Sequence, residues 1–302
     1  ELQVESATPD LLIKLAKQFD EPIIDSSMIP TFMVSERVQT HCKVVLGGDG
    51  ADELFGGYRH YSQLHKMESL TSIFPEKIRL IISYFSKKYL PTGFKGKNWF
   101  SCFGYDVNSE VPLIASYFDF SDRENMFNGR NPPKITAEKI WKDRSSGDGD
   151  IITRATHADF NNYLPEDILV KVDRASMLTS LEVRTPFLDK ELIEFAFRDV
   201  PPFLKTTQNN KKILLKKLAV KILPTEFDIN RKQGFSIPLN DWIRKGDFRE
   251  FFYDTLLNYE SIYDQRYVKT LLKNQDKGFN NGERLFALVM FELWRKQYNI
   301  TI

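Results

Sequence analysis

The stretch Val44-Val45-Leu46-Gly47-Gly48-Asp49-Gly50-Ala51-Asp52-Glu53-Leu54-Phe55-Gly56-Gly57-Tyr58, VVLGGDGADELFGGY, sets five glycines and three carboxylates behind a short apolar run. Val44–Leu46 is apolar throughout, rich in β-branched residues and stopped by glycine, which predicts a parallel strand buried on both faces. Upstream, Thr8-Pro9-Asp10 predicts a helix start, with Leu11, Leu12, Leu15, Ala16 and Phe19 following at helical spacing. Pro30 opens a second predicted helix that carries Val34 and Val38 on one face, and the opening ELQVES alternates like a strand. The order strand, helix, helix, strand, Gly-rich turn, helix is an α/β signature. In open α/β sheets ligands gather at the carboxyl ends of strands, where residues 47–53 fall.

Three roles compete for this loop: phosphate cradle, metal site, or helix cap. As a cap, Asp49 is the N-cap residue, and Asp52 and Glu53 sit in a first turn favoured by the helix dipole. One carboxylate suffices for a cap, however, and three within five residues repel one another unless something neutralises them. The loop lacks the Lys-Ser/Thr ending of a P-loop, so its amides could hold phosphate only if a divalent cation bridged the carboxylates. Mg²⁺, held by one or two carboxylates plus nucleotide phosphates, meets that need. A carboxylate left over could take a proton from an attacking nitrogen.

Working outward, residues 62 to about 145 read as helices with long connections, and SSGDGD near residue 150 as a solvated loop. Residues 151–302 read as almost wholly helical, with stops at Pro165, Pro186, Pro201, Pro202, Pro224 and Pro238. A net charge of +1 over 302 residues provides no global field, so neither nucleic acid nor a membrane is an expected partner. Two widely separated cysteines argue against a disulfide framework and fit a reducing cytoplasm. His41, His60, His65 and His157 lack the spacing of zinc ligands.

Four segments, FDEPIIDSSMIPTF, VVLGGDGADELFGGYRHY, YLPEDILVKVDRASMLTSLEVRTPFLDKELIEFA and NRKQGFSIPLNDWI, closely resemble the synthetase domain of glutamine-dependent asparagine synthetases. The resemblance implies a helix-rich α/β, parallel-sheet ATP-pyrophosphatase fold with a helical C-terminal layer, using ATP and Mg²⁺. It implies that aspartate attacks the α-phosphorus to give β-aspartyl-AMP, and that ammonia released from glutamine then displaces AMP. By the same resemblance Asp49 handles the proton of the incoming ammonia. Asp52 binds Mg²⁺ and pyrophosphate, Gly47, Gly48 and Gly50 form the nucleotide-binding turn, and Lys232 stabilises charge on the α-phosphate, a fixed cation of the kind that dominates such catalysis. Asp173, Arg174, Glu182, Arg184 and Asp189 are expected in buried structural ion networks rather than on substrate.

Two departures accompany the resemblance. Gly47 stands where the family usually has serine, and the family's S-G-G-x-D-S pyrophosphate loop is absent. The chain is therefore expected to be a synthetase domain fragment, with residues 1–61 as the remaining α/β nucleotide half and 62–302 mainly helical. It would lack its first strand, its phosphate loop and the N-terminal glutaminase domain. Such a fragment is expected to bind ATP–Mg²⁺ feebly, to make no asparagine alone, and to associate, as a homodimer for instance, through uncovered sheet edge. A second reading keeps the adenylating chemistry but changes the acceptor to a sugar acid, a β-lactam precursor or a peptide. A third, non-catalytic reading treats NNKKILLKKLAVKIL, residues 209–223, as a basic amphipathic helix for a membrane surface or protein partner. That helix is expected to lead directly into RKQGF.

Overall fold

The computed structural model of the chain describes residues 7–127, 137–145, 147–230 and 237–301. The expected opening strand, ELQVES, and Lys232 lie outside the described residues.

Helices α1 (Pro9–Gln18) and α2 (Met28–Val38) come first; Pro9 opens α1 as predicted, whereas α2 begins two residues before Pro30. Thr8 occupies the N-cap position of α1, but its side chain makes no capping bond. Strand β1 (Val44–Leu46) follows and leads through the glycine turn into the short helix α3 (Ala51–Phe55). The next region is helical with connecting loops: α4 (Arg59–Thr71), α5 (Glu76–Tyr89), α6 (Lys97–Cys102), α7 (Phe120–Met126) and α8 (Ala137–Ser145). Asp150, in the loop read as solvated, caps α9 (Ile151–Asn161) by accepting from the Ile152 and Thr153 amides.

Pro165 does not stop a helix. It opens a π-helical turn at Leu164–Ile168 that joins α9 to α10 (Leu169–Met177), and proline's missing N–H does little harm at the first turn of a segment. The half read as helical then yields strand β2 (Glu182–Arg184), which pairs with β1 in parallel, Val45 opposite Val183. Pro186 begins a 3₁₀ turn ahead of α11 (Lys190–Arg198), Pro201 and Pro202 start α12 (Pro202–Lys205), and Pro224 follows α13 (Ile213–Ile222). Pro238 precedes α14 (Leu239–Trp242), after which come α15 (Asp247–Leu257), α16 (Gln265–Asp276) and α17 (Gly282–Gln297).

Burial of β1 departs from expectation. Val44 is 41% exposed and Leu46 is 74% exposed. Among the described residues the sheet has only two strands, so one edge of β1 and much of its surface have no neighbour to exclude water. The main core lies in the helices instead: Leu12, Phe32, Phe252, Leu271 and Phe286, from α1, α2 and α15–α17, pack into one cluster. A smaller cluster of Leu54, Phe55, Ala196 and Val200 pins α3 against α11. That contact fixes the helix on which the acidic loop depends.

Candidate active site

The glycine turn is shaped by what would collide with a side chain. Gly50 adopts φ 90°, a left-handed conformation, and a Cβ there would run into Leu188. At Gly57 a Cβ would occupy the space of the Asp52 carboxylate and crowd the Lys212 side chain. Gly48 faces open space, with no atom within 4 Å of where a Cβ would stand, so its backbone is accessible from the cleft. At Gly47 a Cβ would come 2.9 Å from Asp49 Oδ2 and 3.0 Å from Val183, so a serine would require the Asp49 carboxylate to turn aside.

The N-cap position of α3 belongs to Gly50, without a side-chain cap bond, so Asp49 does not cap the helix. Its carboxylate is half-buried beside the turn. Burial pushes its affinity for a proton above the usual carboxylate range, against the pull of Lys171. Asp52 meets Lys212, whose Nζ lies 3.1 Å from Oδ1. Lys212 precedes α13 in a left-handed conformation, φ 50°, uncommon for a lysine and placed here at the residue that reaches the acidic loop. Glu53 plays no surface dipole role: it is 1% exposed, accepts a hydrogen bond from the Tyr58 hydroxyl, and is pushed up to about 7 by burial.

Facing the loop, α10 contributes Lys171, a buried lysine whose Nζ donates to Asp25 Oδ2 at 2.8 Å and to Ser27 Oγ at 2.7 Å. Burial opposes charge on Asp25, but Lys171 and the Ser27 bonds outweigh it and hold that carboxyl below its ordinary range. Asp167, one helical turn before Lys171, is pushed up to about 7 by burial, with the charge of Asp25 acting in the same direction. Lys171 and Ser27, but not Asp25 or Asp167, line a cleft of about 1080 Å³ whose walls also include Gly47, Gly48, Asp49, Asp52 and Lys212, large enough for a nucleotide and a second small substrate. Val34, Val38, Leu46 and Phe227 make the same cleft apolar along one side.

Sequence reasoning misses Lys171, Asp25 and Asp167. A lysine set in the apolar run LVKVD is the available signal, but its partner is 146 residues away. The interleaved charges of the same segment are not buried as expected. Arg174 pairs with Asp20 and Asp173, and Arg184 with Glu182, all at exposed positions, while Asp189 caps α11. Helix α13 ends at Ile222, so it does not run into RKQGF; residues 223–230 intervene without helix, and Ile229 and Asn230 line the cleft. No group of three His, Cys, Asp or Glu side chains capable of holding a metal occurs among the described residues.

Comparison with known proteins identifies the family. The pattern of the asparagine synthase family matches residues 1–296. The chain belongs to the asparagine synthase family. It is 31% identical over 282 residues to a putative glutamine-hydrolyzing asparagine synthetase of Mycobacterium tuberculosis, an alignment covering 91% of this chain and 42% of the relative. To glutamine-hydrolyzing asparagine synthetase 1 of Bacillus subtilis it is 30% identical over 290 residues, covering 94% of this chain and 45% of the relative. A putative asparagine synthetase of Methanocaldococcus jannaschii is 31% identical over 181 residues, covering 59% and 34%. The chain thus spans less than half the length of these asparagine synthetases. No solved structure matches it.

Proposed function

We propose that the cleft at the carboxyl end of β1 is the adenylating site of a glutamine-dependent asparagine synthetase. The observation that carries this reading is the gathering of Asp49, Asp52, Lys171 and Lys212 in the walls of one cleft at the glycine turn, with Asp52 paired to Lys212 and Asp49 under the charge of Lys171. In the proposed reaction the side-chain carboxylate of aspartate attacks the α-phosphorus of ATP and pyrophosphate leaves. Ammonia then attacks the acyl carbon, AMP departs, and the surplus proton of the nitrogen goes to Asp49, whose raised affinity suits a proton acceptor.

With no three-ligand cluster among the described residues, Mg²⁺ fits here only in the manner of hard cations that rely on nucleotide phosphates, with Asp52 as the protein ligand. Bound so, it would neutralise charge on the departing pyrophosphate. Lys212 pairs with Asp52 and, by this reading, would meet the same phosphates. Gly47, Gly48 and Gly50 would bring backbone amides to the nucleotide, and Lys232 is proposed for the α-phosphate by resemblance. The edge of β1 that no described strand covers fits the ATP-pyrophosphatase fold, in which a further strand and its phosphate loop would pair there. By this reading residues 1–61 supply part of a nucleotide-binding half that also draws on β2. Ammonia would come from a glutaminase domain outside this chain, and the isolated chain would bind ATP–Mg²⁺ weakly.

Pyrophosphate release by the whole protein, with ATP and a panel of carboxylates, tests the proposal. Aspartate-dependent release, followed by ammonia-dependent AMP, supports it. Release with a sugar acid or peptide carboxylate, and none with aspartate, would favour the second reading, to which the Gly47 departure points.

A further inference from the structure

Helix α5 is amphipathic in the inverted sense. The side that docks on the protein is small and polar: Ser83 Oγ donates to the Ser101 carbonyl at 2.6 Å, and Ser86 Oγ donates to the Lys97 carbonyl at 3.0 Å. Both serines are buried, and Gly104 allows the close approach, since a Cβ there would sit 3.1 Å from that of Ser83. The opposite side carries Leu80, Ile81, Tyr84, Phe85 and Tyr89, at spacings of three and four, each between 49% and 62% exposed. Ile73 and Phe74 extend the apolar surface beyond the start of the helix. The rings contact one another rather than a core: Tyr84 meets Phe85 edge-on and Phe85 stacks on Tyr89, with centroids 5.8 and 5.4 Å apart. An apolar surface of this extent marks a binding face.

Charge identifies its occupant. The span 73–100 holds one acid, Glu76, and six basic residues, of which Lys77, Lys87, Lys88 and Lys95 are exposed, within a chain whose net charge is only +1. Lys77 and Lys88 lie on the apolar side of α5 near its two ends. Lys88 Nζ donates to the Tyr84 hydroxyl at 2.9 Å and sits 5.3 and 5.5 Å from the Tyr84 and Tyr89 rings. A second copy of the chain is a poor fit, because antiparallel two-fold pairing of α5 would set Lys77 of one helix beside Lys88 of the other. A surface with fixed negative charge over an apolar interior matches both features: lysine stems lie along the apolar zone while their ammonium groups reach anionic headgroups, and tyrosines occupy the boundary. No described helix is long and apolar enough to cross a membrane, so the mode is attachment in the interface plane.

We propose that the outward face of α5 binds the surface of an anionic lipid bilayer. This departs from the expectation drawn from net charge, because the charge that matters is local. Flotation of the purified chain with vesicles of mixed phosphatidylcholine and phosphatidylserine, and with vesicles of phosphatidylcholine alone, tests it. The expected result is co-flotation with the mixed vesicles only, reversed by raised salt. Ile81→Glu with Phe85→Glu should weaken binding roughly tenfold or more, and Lys77→Glu with Lys88→Glu should abolish the anionic preference. Tyr259→Glu, at a residue 92% exposed on a different part of the chain, should leave binding unchanged. Because all four α5 positions point outward, circular dichroism should remain unaltered, and the salt dependence of the unsubstituted chain needs no variant. Absence of flotation, equal binding to both vesicles, or insensitivity to the α5 substitutions would each overturn the proposal. A dimer in sedimentation that Phe85→Glu dissociates, without flotation, would assign the face to a second copy instead.

Discussion

Leu46 and Leu285 are the same residue in opposite circumstances. Leu285, on α17, is fully buried among Phe252, Leu271 and Phe286, whereas Leu46, the last residue of β1, remains 74% exposed at the wall of the cleft. The helical region holds itself together by apolar burial, and the region that carries the proposed chemistry stands on it, attached through β2 and α10, which packs on α2. Stability and function are therefore borne by different residues.

The largest expected effect follows directly. Phe252→Ala or Phe286→Ala should destabilise the chain by about 3–5 kcal/mol, since each removes a fully buried ring from the main cluster. Leu46→Ala should change unfolding free energy by less than about 0.5 kcal/mol. Urea denaturation of the three variants provides the measurement. A cost at Leu46 comparable to that at Phe252 would break the contrast, and would mean that β1 is covered in solution by something that buries it.

How far the sequence speaks for each region differs for the same reason. The strand, the left-handed glycine and the acidic turn are legible because backbone preference and β-branched patterning are local properties of VVLGGDGADELFGGY. Burial of β1 is not, because burial depends on neighbours, and the one described strand that pairs with it, Glu182–Arg184, is three residues long and too short to carry a period. The partners Lys171–Asp25 and Lys212–Asp52 are illegible as pairs for a similar reason: each joins residues more than a hundred positions apart. Individual lysines are visible in the sequence; what they face is a product of the fold. Glu53 is the sharpest case, expected as a first-turn carboxylate favoured by the helix dipole and found almost wholly buried against Tyr58.

Where the two regions meet, Lys171 sharpens the comparison. Lys171→Ala strips the buried Asp25 carboxylate of its cation and leaves it the Ser27 bonds, and should cost about 3 kcal/mol. Lys171→Met combined with Asp25→Asn should recover much of that loss, because the uncompensated charge is gone. Failure of the double variant to recover would mean that Lys171 acts in the fold through packing rather than charge.

Glu53 links stability to pH with a definite sign. Its carboxyl titrates near 4.5 when exposed and at about 7 in the fold. The folded form holds the proton more tightly, so this contribution is fully present below pH 4.5 and is lost as pH rises through about 7, a fall on the order of 3 kcal/mol. Asp167, also raised to about 7, adds a slope of the same sign, so the diagnostic is the difference between the unsubstituted chain and Glu53→Gln. Unfolding free energies measured across that window should decline less steeply for the variant. Identical slopes would place the Glu53 proton elsewhere.

A small effect on stability is expected at the pair at the centre of the proposed site. Asp52 and Lys212 keep 27% and 28% of their side-chain surface exposed, and breaking so accessible an ion pair should cost within about 1 kcal/mol. Ligand binding should separate the two partners even though stability does not. Asp52→Asn removes the proposed metal ligand, so nucleotide titrated by calorimetry should lose its dependence on Mg²⁺. Lys212→Ala takes a competing cation away from Asp52, so Mg²⁺ should be taken up more readily while nucleotide alone binds more weakly. Opposite signs in the two variants are what a lysine standing in for a divalent ion requires. A parallel loss in both would mean that the pair serves only to brace the glycine turn, with Gly57 retained to make room for that brace.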